Sequence, residues 1–244
     1  MLAAAIVLCV THWSPDALLA AYPDTLAAVH DNRVIFRDGR ALDLGADDCQ
    51  KPDDEVLRHA SILDQFRYAY PQGLLSAPPA NDPGRFRNKA FFDAMYGDCR
   101  ASTPHLVSLV WLPKSWGRRI EFTPVNGAAD ALKAVSADID ALPESDRRAA
   151  YPIAGTYKCR AVADAGQPSM HAYGAAIDLN LAYSNYWMWE KGRAAGYENR
   201  MPASIVEIFE RHGFIWGGKW RHFDTMHFEY RPELLPLAAS PVPR

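Results

Sequence analysis

The sequence predicts an α+β fold. Segments with helical period and segments with strand period both occur, they follow no regular strand–helix–strand rhythm, and a tight-turn signal marks a hairpin near the start. A doubly wound parallel sheet needs that missing rhythm. At 244 residues the chain is long enough for one well-buried core, or for a core with a substantial N-terminal elaboration. Hydrophobic residues make up 49% of it and charged residues 23%, so composition does not limit burial.

The elements follow in order. Val34 to Leu42 reads as a hairpin, with Asp38 and Gly39 expected to supply the positive φ angles of its turn. Glu55 to Tyr68 places Val56, Leu57, Ala60, Leu63 and Phe66 at helical spacing and is expected to be one amphipathic helix. A Pro-rich loop over 72–83 leads to a short helix from Phe86 to Tyr96, stopped by Gly97. Leu106 to Leu112 and Arg119 to Thr123 read as strands. Ala131, Leu132, Val135, Ile139 and Leu142 predict a helix capped by Asn126 and ended by Pro143. Tyr173 to Leu181 is expected as a strand and Pro202 to His212 as a helix with Gly213 just beyond it. Met226 to Tyr230 alternates as a strand does.

Charge and cysteine usage narrow the function. A net charge of -3 and the lack of any Lys/Arg-rich run give no electrostatic reason to expect nucleic acid. The apolar run Leu2 to Val10 is too short to span a bilayer. Residues 1–21 read as an export signal lacking its basic start, or as a buried N-terminal helix, and Cys9 lacks the context for lipidation. Cys49, Cys99 and Cys159 then allow one disulfide, without fixing the pair, and no thiolate metal site. Oligomeric state is not legible.

The chemistry concentrates in Ser169-Met170-His171-Ala172-Tyr173-Gly174-Ala175-Ala176-Ile177-Asp178 and, further on, Asp224-Thr225-Met226-His227. Two imidazoles and a carboxylate form a donor set for one divalent ion with an open position for water, with a second carboxylate beside them. On a strand through Asp178, Ala176 and Asn180 share its face, and Gly174 lets the chain turn tightly after His171. On the second strand, Met226, Phe228 and Tyr230 point to the core, leaving His227 and Glu229 on the other face. Asp224 lies three positions before His227, so a bend at Asp224-Thr225 is required for both to converge. His222 is a candidate neighbour of the site. Trp187, Trp189, Trp216 and Trp220 are candidates either for a substrate groove or for the core.

The stretch from about Gly155 to Leu234 resembles the zinc D-alanyl-D-alanine carboxypeptidase and L-alanyl-D-glutamate endopeptidase family, the VanY-like peptidoglycan peptidases. That family's pattern S-x-H-x-x-G-x-A-x-D, then an acidic residue, two residues and a His, is met by Ser169, His171, Gly174, Ala176, Asp178, Asp224 and His227. The resemblance implies a Hedgehog/DD-peptidase-like core with an antiparallel sheet flanked by helices over residues 151–236. Residues 22–150 would pack on it as an elaboration, and 237–244 would form a tail. It implies one zinc ion on His171, Asp178 and His227, and Asp224 as the general base taking a proton from metal-bound water. Arg160 would bind substrate and steady the charged intermediate, a surface ion pair being the alternative. Ser169 would bind substrate, or orient a metal ligand or cap the loop. The implied activity is hydrolysis of peptide bonds in the stem peptides of peptidoglycan, outside the cytoplasm, in the periplasm or beyond the cell. A non-catalytic zinc module shares this fold, and the presence of Asp224 and Arg160 argues against it here.

Overall fold

Ser14 accepts a hydrogen bond from the Ala17 amide and starts the first helix, α1 (Pro15–Ala21), whose Leu18 and Ala21 are buried. A computed structural model describes residues 13–48, 50–73, 75, 80–161, 166–189 and 196–236 of the chain. After α1 come β1 (Leu26–His30), β2 (Arg33–Phe36) and β3 (Ala41–Asp43), an antiparallel three-stranded sheet in chain order. The expected hairpin is β2–β3, with Ile35 opposite Ala41. Only Gly39 takes positive φ in its turn, because the Asp38 carboxylate instead accepts from the Arg40 amide.

The helix expected over 55–68 is broken. It divides into α2 (Asp53–His59) and a 3-10 turn over Leu63–Phe66, with Ala60 extended between them. Ser61 and Asp64 exchange side-chain-to-backbone hydrogen bonds of 2.8 and 3.1 Å, and this starts a new turn in competition with the helix. Next, α3 (Lys89–Tyr96) begins later than expected because Asn88 caps it, accepting from the Phe91 amide at 2.8 Å. Gly97 ends it.

β4 (Val107–Trp111) and β5 (Arg118–Phe122) form a two-stranded antiparallel ribbon. The following helix, α4 (Ala128–Asp140), is not capped by Asn126. Its N-cap is Gly127, and Asn126 uses its side chain to hold Thr25 and the Asp24 amide. Pro143 precedes the short α5 (Glu144–Arg147).

The strand expected over 173–181 shortens to β6 (Ala176–Asp178), since Met170–Tyr173 closes into a 3-10 turn. α6 (Ala203–Arg211) matches its expected span within a residue at each end. β7 (Phe214–Trp216) had no separate sequence signal, and β8 (His227–Tyr230) completes the third sheet. That sheet has the order β6-β8-β7, antiparallel throughout.

One apolar cluster joins this sheet to the preceding half of the chain. Trp111 and Phe122 of the ribbon and Leu132 and Val135 of α4 share it with Ile177, Phe209, Phe214 and Phe228. Phe209 stacks on Phe228 with centroids 4.0 Å apart. A second cluster gathers α1, the first sheet and α3 around Met170, Tyr173 and Ala176. Cys99 and Cys159 are joined by a disulfide that ties the segment after α3 to the irregular segment beside Arg160. Cys49 lies outside the described residues. No helix among the described residues is long and apolar enough to cross a membrane.

Candidate metal centre

β6 and β8 pair so that Asp178 faces His227, Ile177 faces Phe228 and Ala176 faces Glu229. Side chains alternate along each strand, so Asp178 and His227 lie on one face while Ile177 and Phe228 enter the core on the other. His171 reaches the same face from the 3-10 turn. Gly174, at φ 66°, then reverses the chain into β6.

Three donor atoms meet there. His171 Nε2 and His227 Nδ1 each lie 3.0 Å from Asp178 Oδ1, and 3.1 Å from each other. Three ligands about 2.0–2.1 Å from one tetrahedral ion stand about 3.3–3.4 Å apart, so this spacing fits a single small divalent cation. Hydrogen bonds on the far side of each ring set the tautomers. His171 Nδ1–H donates to the Thr156 carbonyl, and His227 Nε2–H donates to Glu229 Oε2 at 2.8 Å. Both partners are pure acceptors, so in the neutral rings the lone pairs of His171 Nε2 and His227 Nδ1 face the common point.

Asp224 stands beside this triad. Its amide donates to the Gly217 carbonyl at 3.0 Å, and its carbonyl accepts from the His227 amide at 3.2 Å, which makes the bend expected at Asp224-Thr225. A Cβ at Gly217 would lie 2.6 Å from the Asp224 carbonyl oxygen, so glycine is required for that approach. Asp224 Oδ1 is buried and has no hydrogen-bond partner among the described residues. Burial, and then the charge of Asp178, push the Asp224 carboxyl up to about 7, with the charges of His227 and Arg160 opposing. For Asp178, burial works against ionisation, but the two imidazoles outweigh it and hold the carboxyl below its usual range.

The centre opens into a cavity of about 200 Å³ walled by Gly155, Thr156, Lys158, Arg160, His171 and Asp178. A larger cavity, about 500 Å³, lies between α1 and the chain near Leu234, lined by residues such as Phe66 and Tyr70, and holds none of the three donors. Chemistry, not size, assigns the smaller one.

Of the residues singled out from sequence, His171, Asp178 and His227 converge, with Asp224 and Arg160 near enough for their charges to act on one another. Ser169 does not wall the cavity. It is 4% exposed, and its hydroxyl accepts from the His171 amide, so it caps the turn that carries His171. Asn180 lies beyond the end of β6 and donates to the carbonyls of Arg148 and Tyr151. His222 pairs with Asp82 at 2.6 Å and packs on Trp187. The tryptophans divide: Trp216 is core, stacked on Phe228, and Trp220 is buried with its ring 5.5 Å from that of His227. Trp189 is 49% exposed.

Glu229, Arg87, Arg231 and Thr156 were not singled out for a role in the site. Glu229 carried a readable signal, a carboxylate two positions after His227 on the same strand face. The two arginines carried none, because their contacts are long-range or depend on a buried partner.

Two imidazoles and a carboxylate at ligand spacing could hold one metal ion, and a carboxylate with a buried, unpartnered oxygen lies alongside. Residues 163–230, which include all four of these side chains, match the family described as D-alanyl-D-alanine carboxypeptidase. That match supports a peptidase of a peptidoglycan-acting family that is zinc-dependent in general. No curated protein and no solved structure matches the chain.

Proposed function

We propose that this protein is a zinc peptidase that cleaves peptide bonds in the stem peptides of bacterial peptidoglycan, either removing a terminal D-alanine or cutting an internal bond of the L-alanyl-D-glutamate type. The observation that carries the reading is the meeting of His171, Asp178 and His227 with Asp224 at their side.

A zinc ion held by these three residues supplies Lewis acidity, polarising a carbonyl and making a water acidic near neutral pH. Asp224 takes the proton of the attacking water and passes it to the leaving amine. A carboxyl raised to about 7 is a better base than one at its ordinary value. Arg160, exposed on the cavity wall, binds a substrate carboxylate or the developing oxyanion, its guanidinium offering a fixed fork of donors. Lys158 on the same wall adds a second positive charge, which favours a substrate rich in carboxylates. Ser169 and Thr156 both hold His171, one through its amide and one through its ring.

In this reading residues 151–236 form the catalytic core and 22–150 an elaboration packed on it. The tail, 237–244, and the apolar run at 2–10 lie outside the described residues. Export to the periplasm or cell exterior belongs to the proposal, supported by the Cys99–Cys159 disulfide, a bond that persists in oxidising compartments.

Digestion of purified muropeptides with the zinc-loaded protein, with and without chelator, followed by mass analysis of the products, tests metal need and bond choice together. Intact muropeptides after prolonged incubation with the zinc-loaded protein would overturn the proposal.

A further inference from the structure

Glu229 is fully buried on β8. Its Oε2 accepts from His227 Nε2–H at 2.8 Å and from Arg87 Nη2, while Oε1 accepts from Arg231 Nη1 at 3.2 Å. Ala176, opposite Glu229 on β6, is small enough to leave that space. Arg231 continues the chain of contacts through Glu233 to the Tyr22 hydroxyl. Two carboxylates and two guanidiniums balance one another in charge, as a cluster buried this deeply must.

Arg87 is the unexpected member. It lies 142 residues from Glu229 in sequence, in the segment before α3. That segment is strapped onto the sheet side of the molecule at several points. Asp82 accepts from the His222 amide, the Pro83 carbonyl accepts from Trp220 Nε1, and the Gly84 carbonyl accepts from Arg231. Arg87 arrives with its guanidinium 5.8 Å from the Trp220 ring, which in turn lies 5.5 Å from the His227 ring. Arg231, two residues along the chain, is shared between Glu229 and Glu233. Arg87 adds a second anchor on the very oxygen that receives the His227 proton.

A neutral imidazole carries one N–H, and the acceptor it faces decides which nitrogen that is. We propose that Arg87 and Glu229 form a positioning pair that holds His227 with Nδ1 toward the divalent ion, so that metal affinity is set in part by the N-terminal half of the chain. The inference rests on the zinc reading of the site. Arg87 touches neither the ion nor substrate; it acts through Glu229.

The test uses the full chain, stripped of metal, with zinc affinity measured by competition against a chromophoric chelator and the visible spectrum of the cobalt(II)-loaded protein as a signature of ligand geometry. Arg87→Met and Glu229→Gln are expected to weaken zinc binding about tenfold to a hundredfold and to shift the cobalt bands. Arg87→Lys, which restores the charge without the fork, should recover part of the affinity. Tyr22→Phe, at the remote end of the same buried cluster, should lower the melting temperature and leave zinc affinity within about twofold. Should Glu229→Gln not fold, the Arg87 pair carries the comparison. The inference is overturned if folded Arg87→Met binds zinc as the unsubstituted protein does, or if Tyr22→Phe weakens binding equally. An unsubstituted protein that binds no zinc would instead remove the metal reading beneath it.

Discussion

Asp178 and His227 stand directly opposite each other on β6 and β8, with Oδ1 and Nδ1 3.0 Å apart. Strand pairing alone brings these two donors together, although 49 positions separate them in sequence. A slip of one residue in that register would turn one of them into the core, where Ile177 and Phe228 now pack. Two of the three donors are therefore positioned by the sheet itself, which suits a site whose ligands must be held before the ion arrives.

The roles assigned to Asp224 and His171 separate cleanly. Asp224→Ala should keep stoichiometric zinc and lose at least about a hundredfold in turnover on stem peptides, the usual contribution of a positioned proton carrier. His171→Ala should lose both zinc and turnover. Full activity of Asp224→Ala at saturating zinc would show that the base lies elsewhere.

Gly217 tests the same residue through its backbone. A methyl group at Gly217→Ala would meet the Asp224 carbonyl at 2.6 Å, and backbone cannot move aside as a flexible side chain can. Turnover should fall by about tenfold or more while zinc content is kept, since misplacement by an ångström is enough to reduce rate. Unchanged kcat with unchanged zinc content would contradict this placement.

Proton and metal compete at His227. Burial works to lower its pKa, yet hydrogen bonds to Asp178 and Glu229, and their charges, raise it in the metal-free protein from 6.5 to about 10. Because the folded value is the higher one, the protonated ring stabilises the metal-free fold fully below pH 6.5, and this contribution disappears as pH rises to about 10. A ligand imidazole must be neutral, so zinc affinity should climb with pH across that window, with proton release on binding. Calorimetry in buffers of different ionisation enthalpy measures the release. A flat affinity over the same window would contradict the account.

Arg160 and Lys158 should differ in what they do. Arg160→Met is expected to lower kcat/KM by about a hundredfold or more, as losing a transition-state donor does, whereas Lys158→Met should raise KM with little change in kcat. Steady-state kinetics on peptides with free and amidated side carboxylates separate the two. Equal effects on KM and kcat for both variants would argue against this division.

The Cys99–Cys159 bond closes a 60-residue separation immediately before Arg160. The chain-entropy model puts its contribution at about 4 kcal/mol, and the double variant Cys99→Ser, Cys159→Ser should show a loss of that order in denaturant unfolding. A change below about 1 kcal/mol would mean that the loop is held by other contacts.

Much of this molecule could be read from local pattern. α3, α4 and α6, the β2–β3 hairpin, the β4–β5 ribbon and β8 follow apolar spacing and turn residues. Local pattern failed where a side chain competed with the backbone. Ser61 and Asp64 cut one helix into two pieces, and Asn126 left its cap position to bind across the molecule. β7, with all three residues buried, lacked the polar alternation that marks a strand with one wet face.

Residue types and their spacing were enough to single out His171, Asp178, Asp224 and His227, because a divalent ion accepts few donor types and those types are rarely buried without a partner. What the folded chain alone decided was which nitrogen each histidine presents, that Ser169 caps a turn, and that Arg87 reaches Glu229 from the other half of the molecule. Those facts depend on contacts between residues distant in sequence, and spacing along a chain carries no record of the partner a buried charge will find.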